Sequence, residues 1–344
     1  MPKNVLSLIL CFSLLTLFSA EVQAQAKKTK KPDPPVKAEP PKSEPQKSQP
    51  KSPKVRSVMK ESYVYKFGRP VETGVPIEYI EYSAAGKITR HVKYDDGAVD
   101  KQIRYNYDNA NNRLEELVLD EDSAFVSRST YLYDGKGKLT EEDKYNRHNE
   151  IIERITYRYD AAENMVEEVA YNDDGDVEWK VIHMHDAAGK KIETDRRHGD
   201  GRLETKEKFL YDSRGKQTET IMYDGDGDVK GKRGFSFDGG GNLIEETAYD
   251  DDGTVLTRRE YKYDQAGNKV EFATFRSERR LEAREKYTYD AKKRRVEGEF
   301  YDSDELLRKK VSYKYDDHGV LIEEIERNKA NEPQLLIKYT ITYH

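Results

Sequence analysis

A short motif, an aromatic residue or histidine followed by aspartate, returns every 26 residues, with the aspartate at Asp108, Asp134, Asp160, Asp186, Asp212, Asp238, Asp264, Asp290 and Asp316. A constant step of this length means one supersecondary unit copied in tandem, each copy burying its apolar surface against its neighbours. It fixes architecture far more tightly than activity.

With each aspartate as position 0, position −1 is Tyr, Phe or His throughout, and position −3 follows suit from Tyr105 and Tyr131 to Tyr313. Position −9 is apolar in every unit, from Val99 to Leu307, and position +11 is usually aromatic, as at Tyr145, Tyr171 and Phe275. A period of two in segments rich in Tyr, Val, Ile and Thr predicts strands. D-x-x-G at 0 to +3 (Asp134 to Gly137) and D/N-x-x-G at +12 to +15 (Asp250 to Gly253) predict three-residue hairpin turns, with Asp starting the turn and Gly taking the positive φ. The expected fold is all-β: tandem 26-residue two-strand repeats in one continuous twisted or curled antiparallel sheet. That ribbon either stays open or closes into a barrel or shell.

The positions that define the unit are Tyr107, Asp108 and Glu115; Tyr133, Asp134, Gly137 and Glu141; Tyr159, Asp160 and Glu167; Tyr211, Asp212 and Glu219; Tyr263, Asp264, Gly267 and Glu271; Tyr289, Asp290 and Glu297; and Tyr315, Asp316 and Glu323. With three-residue loops, −1 pairs with +5 and −3 with +7 inside a hairpin, and +11 pairs with the next −9. One face then collects −9, −3, −1, +7 and +11, with a tyrosine hydroxyl opposite each Glu at +7, as in Tyr131 with Glu141. The other face carries −6 and +8 as an ion-pair ladder, for example Glu116 with Arg128 and Glu142 with Arg154.

Residues 1–26 combine Lys3, an apolar run from Val5 to Ala20 and small-residue patterns ending at Ala24 and Ala26, which reads as a secretory signal peptide. Its removal takes away Cys11, the one cysteine, and with it thiol and cysteine-metal chemistry. Residues 27–56 hold ten Lys/Arg against three Asp/Glu, with many prolines and no aromatic residue, the composition of a solvated disordered linker. The β-repeat domain is expected over 57–344, and the signal peptide leads us to expect a secreted or periplasmic location. Residues 57–344 carry 49 Lys/Arg against 62 Asp/Glu, a balance of −13 that argues against a nucleic-acid partner.

Stretches such as Tyr131 to Tyr145 (YLYDGKGKLTEEDKY) and Tyr261 to Phe275 (YKYDQAGNKVEFATF) resemble the YD repeats of the RHS family over roughly residues 80 to 344. That resemblance implies a bacterial envelope or secreted protein built on a long antiparallel sheet, which the large members curl into a shell around a toxic C-terminal domain. No core-boundary motif of the D-P-x-G-L type is present, and the sequence ends on a repeat-like strand, so no toxin cargo is expected. The spacing from Gly241 to Gly253 also resembles MORN-variant hairpin repeats.

No site stands out against this regularity. A ladder of equivalent carboxylates gives no glutamate the private environment that acid–base catalysis needs. His183 and His185 fill the −3 and −1 aromatic slots, and acidic turns such as Asp224 to Asp228 lack the spacing of an EF-hand loop. No catalytic residue, cofactor or metal site is expected. The leading expectation is a non-enzymatic interaction or structural module for an unknown protein or envelope polymer, with a carbohydrate binder and a shell around a separate polypeptide as alternatives.

Overall fold

The computed structural model describes residues 53–344, so the signal-peptide and most of the linker assignments lie outside the described residues. β1 (Val55–Lys66) opens the sheet and turns through Phe67 and Gly68 into the two-residue β2 (Arg69–Pro70). β3 (Val75–Tyr82) and β4 (Ile88–Asp95) form a further hairpin. The nine repeats then run from β5 (Ala98–Tyr107) and β6 (Arg113–Leu119) to β21 (Leu307–Tyr315) and β22 (Leu321–Asn328), followed by β23 (Pro333–Tyr343).

β1 pairs antiparallel with β3 on one side and with β23 on the other: Lys60 lies opposite both Glu78 and Tyr339. The ribbon is therefore a closed barrel, and every strand of the 23 except β2 lies in its wall. Closure leaves no bare edge at the last strand. Pro333 pairs with Arg327, and the far side of β23 is covered by β1.

Both turns of a unit are built alike. Asp134 accepts the amides of Lys136 (2.9 Å) and Lys138 (2.8 Å) on its side chain, while its backbone carbonyl accepts the Gly137 amide at 2.9 Å. Asn146 does the same for His148 and Glu150 in the turn between β8 (Leu139–Tyr145) and β9 (Ile151–Tyr159). Gly137 and Gly267 take the positive φ of the third turn residue (79° and 82°), a conformation that Asn149 and Glu163 also adopt.

The register departs from the unbulged expectation in every unit. Between β7 (Phe125–Tyr133) and β8, Tyr133 faces Leu139 as expected, but Leu132 faces Glu141 and Tyr131 faces Glu142, because Thr140 is an extra, bulged residue. A second bulge skips Ile152, so Asp143 and not Glu142 faces Arg154. A bulge moves every later side chain to the other face. Hence −3 shares a face with +8, and −6 shares the opposite face with +7, +9 and +11.

The stagger between successive repeats sets the barrel's size. Tyr131 pairs with Glu142 and Glu142 with Ile155, which is two residues short of Tyr157, the equivalent of Tyr131 one repeat on. A stagger of roughly one residue per strand inclines the strands by about 37° and gives a backbone radius of about 19 Å. Such a wall is too wide for its own side chains to fill. Among the described residues the hydrogen bonds, ion pairs and ring contacts join strands or turns one or two places apart. Over the described residues the barrel is hollow.

Side chains crowd on the concave side of a closed wall and splay apart on the convex side, which places −1, −3, −5 and +8 in the lumen. Burial is the first cause of the raised pKa of Tyr105, Tyr131, Tyr157, Tyr261 and Tyr313, all at −3. For the outward Arg154, Lys206 and Lys310 the first cause is a hydrogen bond to a carboxylate.

Removing β23 would strip the partner from β1 and β22 together. Truncation before Pro333 is expected to turn a monomer into concentration-dependent assemblies through the two bared edges. Sedimentation velocity checks this, and a truncated chain that stays monomeric with unchanged thermal stability would show that closure is not what protects the sheet.

Candidate functional site

The lumen wall repeats one polar device. An aromatic residue or histidine at −3 reaches back 15 residues to the +8 glutamate of the preceding unit: the Tyr157 hydroxyl donates to Glu142 at 3.3 Å, Tyr261 to Glu246 at 3.5 Å, and Tyr339 to Glu324 at 2.6 Å. His183 takes the same slot, its ring nitrogens 2.8 Å from Glu168 and 3.1 Å from Thr194 Oγ1. Burial and the adjacent carboxylate raise the pKa of Tyr157 and Tyr339, so both stay neutral donors at physiological pH.

The tyrosine at −1 anchors the neighbouring strand. Tyr159, Tyr211, Tyr263, Tyr289 and Tyr315 each donate to a carbonyl 20 residues earlier, and Tyr107 to one 19 residues earlier, at distances from 2.6 Å (Lys191 carbonyl) to 3.0 Å (Leu139 carbonyl). Tyr133 occupies the same position, with its hydroxyl pKa raised by burial. These bonds satisfy backbone oxygens at the level where the bulge interrupts the ladder.

The expected Tyr131–Glu141 rung is not made, because the bulge carries each +7 glutamate outward. There Glu115 lies 3.9 Å from Arg128, Glu141 3.6 Å from Arg154, Glu167 3.1 Å from Lys180, Glu219 3.9 Å from Lys232 and Glu271 3.6 Å from Arg284. Glu297 and Glu323 take the same register, opposite Ser312 and Lys338. The ion-pair ladder therefore exists on +7, and the rung glutamate is +8. The expected partners were interchanged. The outward face is further covered by cations over +11 rings, Arg128 4.2 Å from the Tyr145 centroid and Arg258 4.6 Å from that of Phe275.

The missed bulge leaves a trace in sequence: position +6 is apolar or threonine in all nine units (Leu114, Thr140, Val166, Ile192, Thr218, Ile244, Val270, Val296 and Ile322). It follows +5 and precedes Glu at +7, which breaks strict alternation.

The rims differ in charge. All +12 turns project from one rim, where Asp120, Glu121 and Asp122, then Asp224, Asp226 and Asp228, then Asp250, Asp251 and Asp252 gather. The opposite rim carries the aspartates at position 0 with Lys136, Lys138, Lys216, Lys292 and Lys293 among them. Among the described residues no group of three or more His, Cys, Asp or Glu side chains converges as a metal site.

A family model described only as an uncharacterised protein matches residues 236–343, under half of the chain. No curated protein matches. Among solved structures, the chain is similar to the TcdB2-TccC3 crystal structure (12% identity, 76% of this chain, 20% of that chain, TM-score 0.32) and to the Photorhabdus luminescens Tc holotoxin pore (11%, 84%, 19%, 0.34). It is similar also to a porin-like protein from Bacteroides uniformis (11%, 84%, 98%, 0.31). The chain spans about a fifth of the length of the toxin chains.

The turn aspartates make a pH prediction. Hydrogen bonds from turn amides hold the carboxyls of Asp134, Asp186 and Asp212 below their usual range. A folded pKa below the unfolded value, about 3.9, contributes stability above that value and loses it as pH falls through the folded pKa. Thermal midpoints are expected to be flat from neutrality to about pH 5 and to fall between about pH 4 and 2. Asparagine accepts the same amides at position 146, so replacing these three aspartates by Asn should keep the fold at pH 7 and flatten the acid slope; an unchanged slope by calorimetry would contradict the assignment.

Proposed function

We propose that the protein is a non-enzymatic extracytoplasmic sleeve whose lumen encloses an extended segment of a separate polypeptide. The observation that carries this reading is the closed, hollow barrel with hydrogen-bonding aromatic and carboxylate rungs on its inner wall. An inner wall of Tyr, Glu and Arg offers stacking and hydrogen bonds to peptide groups at many equivalent levels, which suits a chain-like occupant better than a compact one. The acidic rim steers cationic segments toward one mouth and repels nucleic acid.

The outward ion pairs argue against a membrane-spanning barrel. A charged side chain facing lipid costs about 2–4 kcal/mol at mid-bilayer, and this barrel places one on the outside in nearly every repeat. Among the described residues no helix is long and apolar enough to cross a membrane. The signal-peptide reading of residues 1–26 supports an extracytoplasmic place, and none of the rung carboxylates has the distinct environment a catalytic pair requires.

A photo-crosslinking residue at position 131, inside, or 132, outside, tests the reading in envelope extract. The inward probe is expected to capture a polypeptide in a salt-sensitive manner, identified by mass spectrometry, and the outward probe to capture none. Capture only from position 132, or of glycan in place of protein at 131, would overturn it.

A further inference from the structure

Several cations on the luminal face are matched to carboxylates. Arg113 lies 3.0 Å from Glu116, three residues on; Arg233 and Arg259 share Glu246 at 3.5 and 3.2 Å; Lys309 meets Glu326 at 2.7 Å. Three others at position +5, the place of Arg113, lack that match: three residues after Lys191, Lys269 and Arg295 stand Thr194, Phe272 and Gly298. Of these, Lys269 and Arg295 lie in adjacent repeats. Two successive repeats have thus gained a luminal cation where the matching carboxylate is missing. Among the described residues neither has a carboxylate within 4.0 Å.

Rings surround the pair. The Lys269 ammonium sits 5.7 Å from the Tyr261 centroid and 5.4 Å from that of Phe272, and the two rings pack 5.3 Å apart. The Arg295 guanidinium lies 3.8 Å over Tyr287 and 5.9 Å from Tyr313. Gly298 makes room for this packing, since a Cβ there would come within 3.2 Å of the Phe300 ring and 3.5 Å of Tyr287. A nearby carboxylate, Glu285, is engaged by the Tyr287 hydroxyl. Burial, then the like charge of Arg295, lowers the Lys269 pKa and outweighs the opposing pull of Glu285.

We propose that Lys269 and Arg295 form a luminal site for an oxyanion, a carboxylate or a phosphate group, carried by a ligand whose body lies against Tyr261, Phe272, Tyr287 and Tyr313. The two side chains hold equivalent positions two strands apart, and with the two-residue stagger their backbones stand roughly 12 Å apart, a span that two long side chains leaning toward each other can close around one oxyanion. The guanidinium offers a two-pronged donor and the ammonium a point charge, and the aromatic walls lower the local dielectric that strengthens both. The site stands whether or not a polypeptide fills the rest of the lumen.

Calorimetric titration of residues 27–344 with inorganic phosphate and with galacturonate, in chloride-poor buffer, separates the two sources. Saturable binding of one probe or both is expected, weakened about tenfold or more in K269A and in R295A. R113A, whose cation is already matched by Glu116, should bind as the native chain does. F272E, which restores a carboxylate three residues after Lys269, should abolish binding while circular dichroism shows the sheet intact. Absence of binding by both probes, or binding unaffected in K269A, R295A and F272E, would overturn the proposal.

Discussion

Everything in this barrel depends on backbone register, and register depends on two bulges per repeat. The bulges at Thr140 and Ile152 send −3 to the face of +8 and −6 to that of +7. The two bulges offset one another along the chain, so the two-residue stagger between repeats is the one the turns already set, and it accumulates around the circuit to the seam where β1 meets β23. An unbulged ladder with the same side chains would turn the rung glutamates outward. The Tyr-Asp step marks the point where each hairpin turns, with the tyrosine hydroxyl tying the neighbouring strand and the aspartate closing the loop.

With one sheet and a hollow centre, no thick hydrophobic core is available. Few side chains are buried: Val92, Ile155, Val169, Ala273, Val311 and Leu336 among the apolar ones, with Asp143, Asp195 and Thr247 among the polar. Stability is spread over backbone ladders, turn hydrogen bonds of about 0.5–1.5 kcal/mol each, and exposed ion pairs worth about 0–1 kcal/mol each. Such a wall behaves as a sum of near-identical neighbour terms, and only closure makes it a single object. Asp195 shows how the repeat tolerates change: it is buried in the slot of Val169 and Ala273 and lies near Lys206 and Arg197.

Strands, turns and repeat boundaries were legible in the sequence because each rests on local chemistry: alternation at −1 and −3, Asp or Asn opening a turn, Gly at positive φ. The partner of each glutamate was not, since one bulged residue reverses every assignment beyond it and its trace, an apolar residue at +6, resembles an ordinary strand position. Closure was open for a different reason. It depends on the strand count, the stagger and the irregular β1, which lies outside the period, whereas any single repeat fits an open ribbon equally well. The unmatched pair Lys269 and Arg295 is visible in sequence only after the register is known, because only then does the lack of Glu at +8 carry meaning.

Closure is the claim on which lumen, rungs and sleeve all rest, and the seam offers a direct measurement. Ser57 Oγ on β1 lies 2.6 Å from Thr342 Oγ1 on β23, and residues 27–344 contain no native cysteine. Cysteines placed at 57 and 342 should form an intramolecular disulfide under mild oxidation, giving a monomer with faster electrophoretic mobility and a raised thermal midpoint. Free thiols, or disulfides only between molecules, would mean that the sheet is open in solution and that the hollow barrel is not the working form.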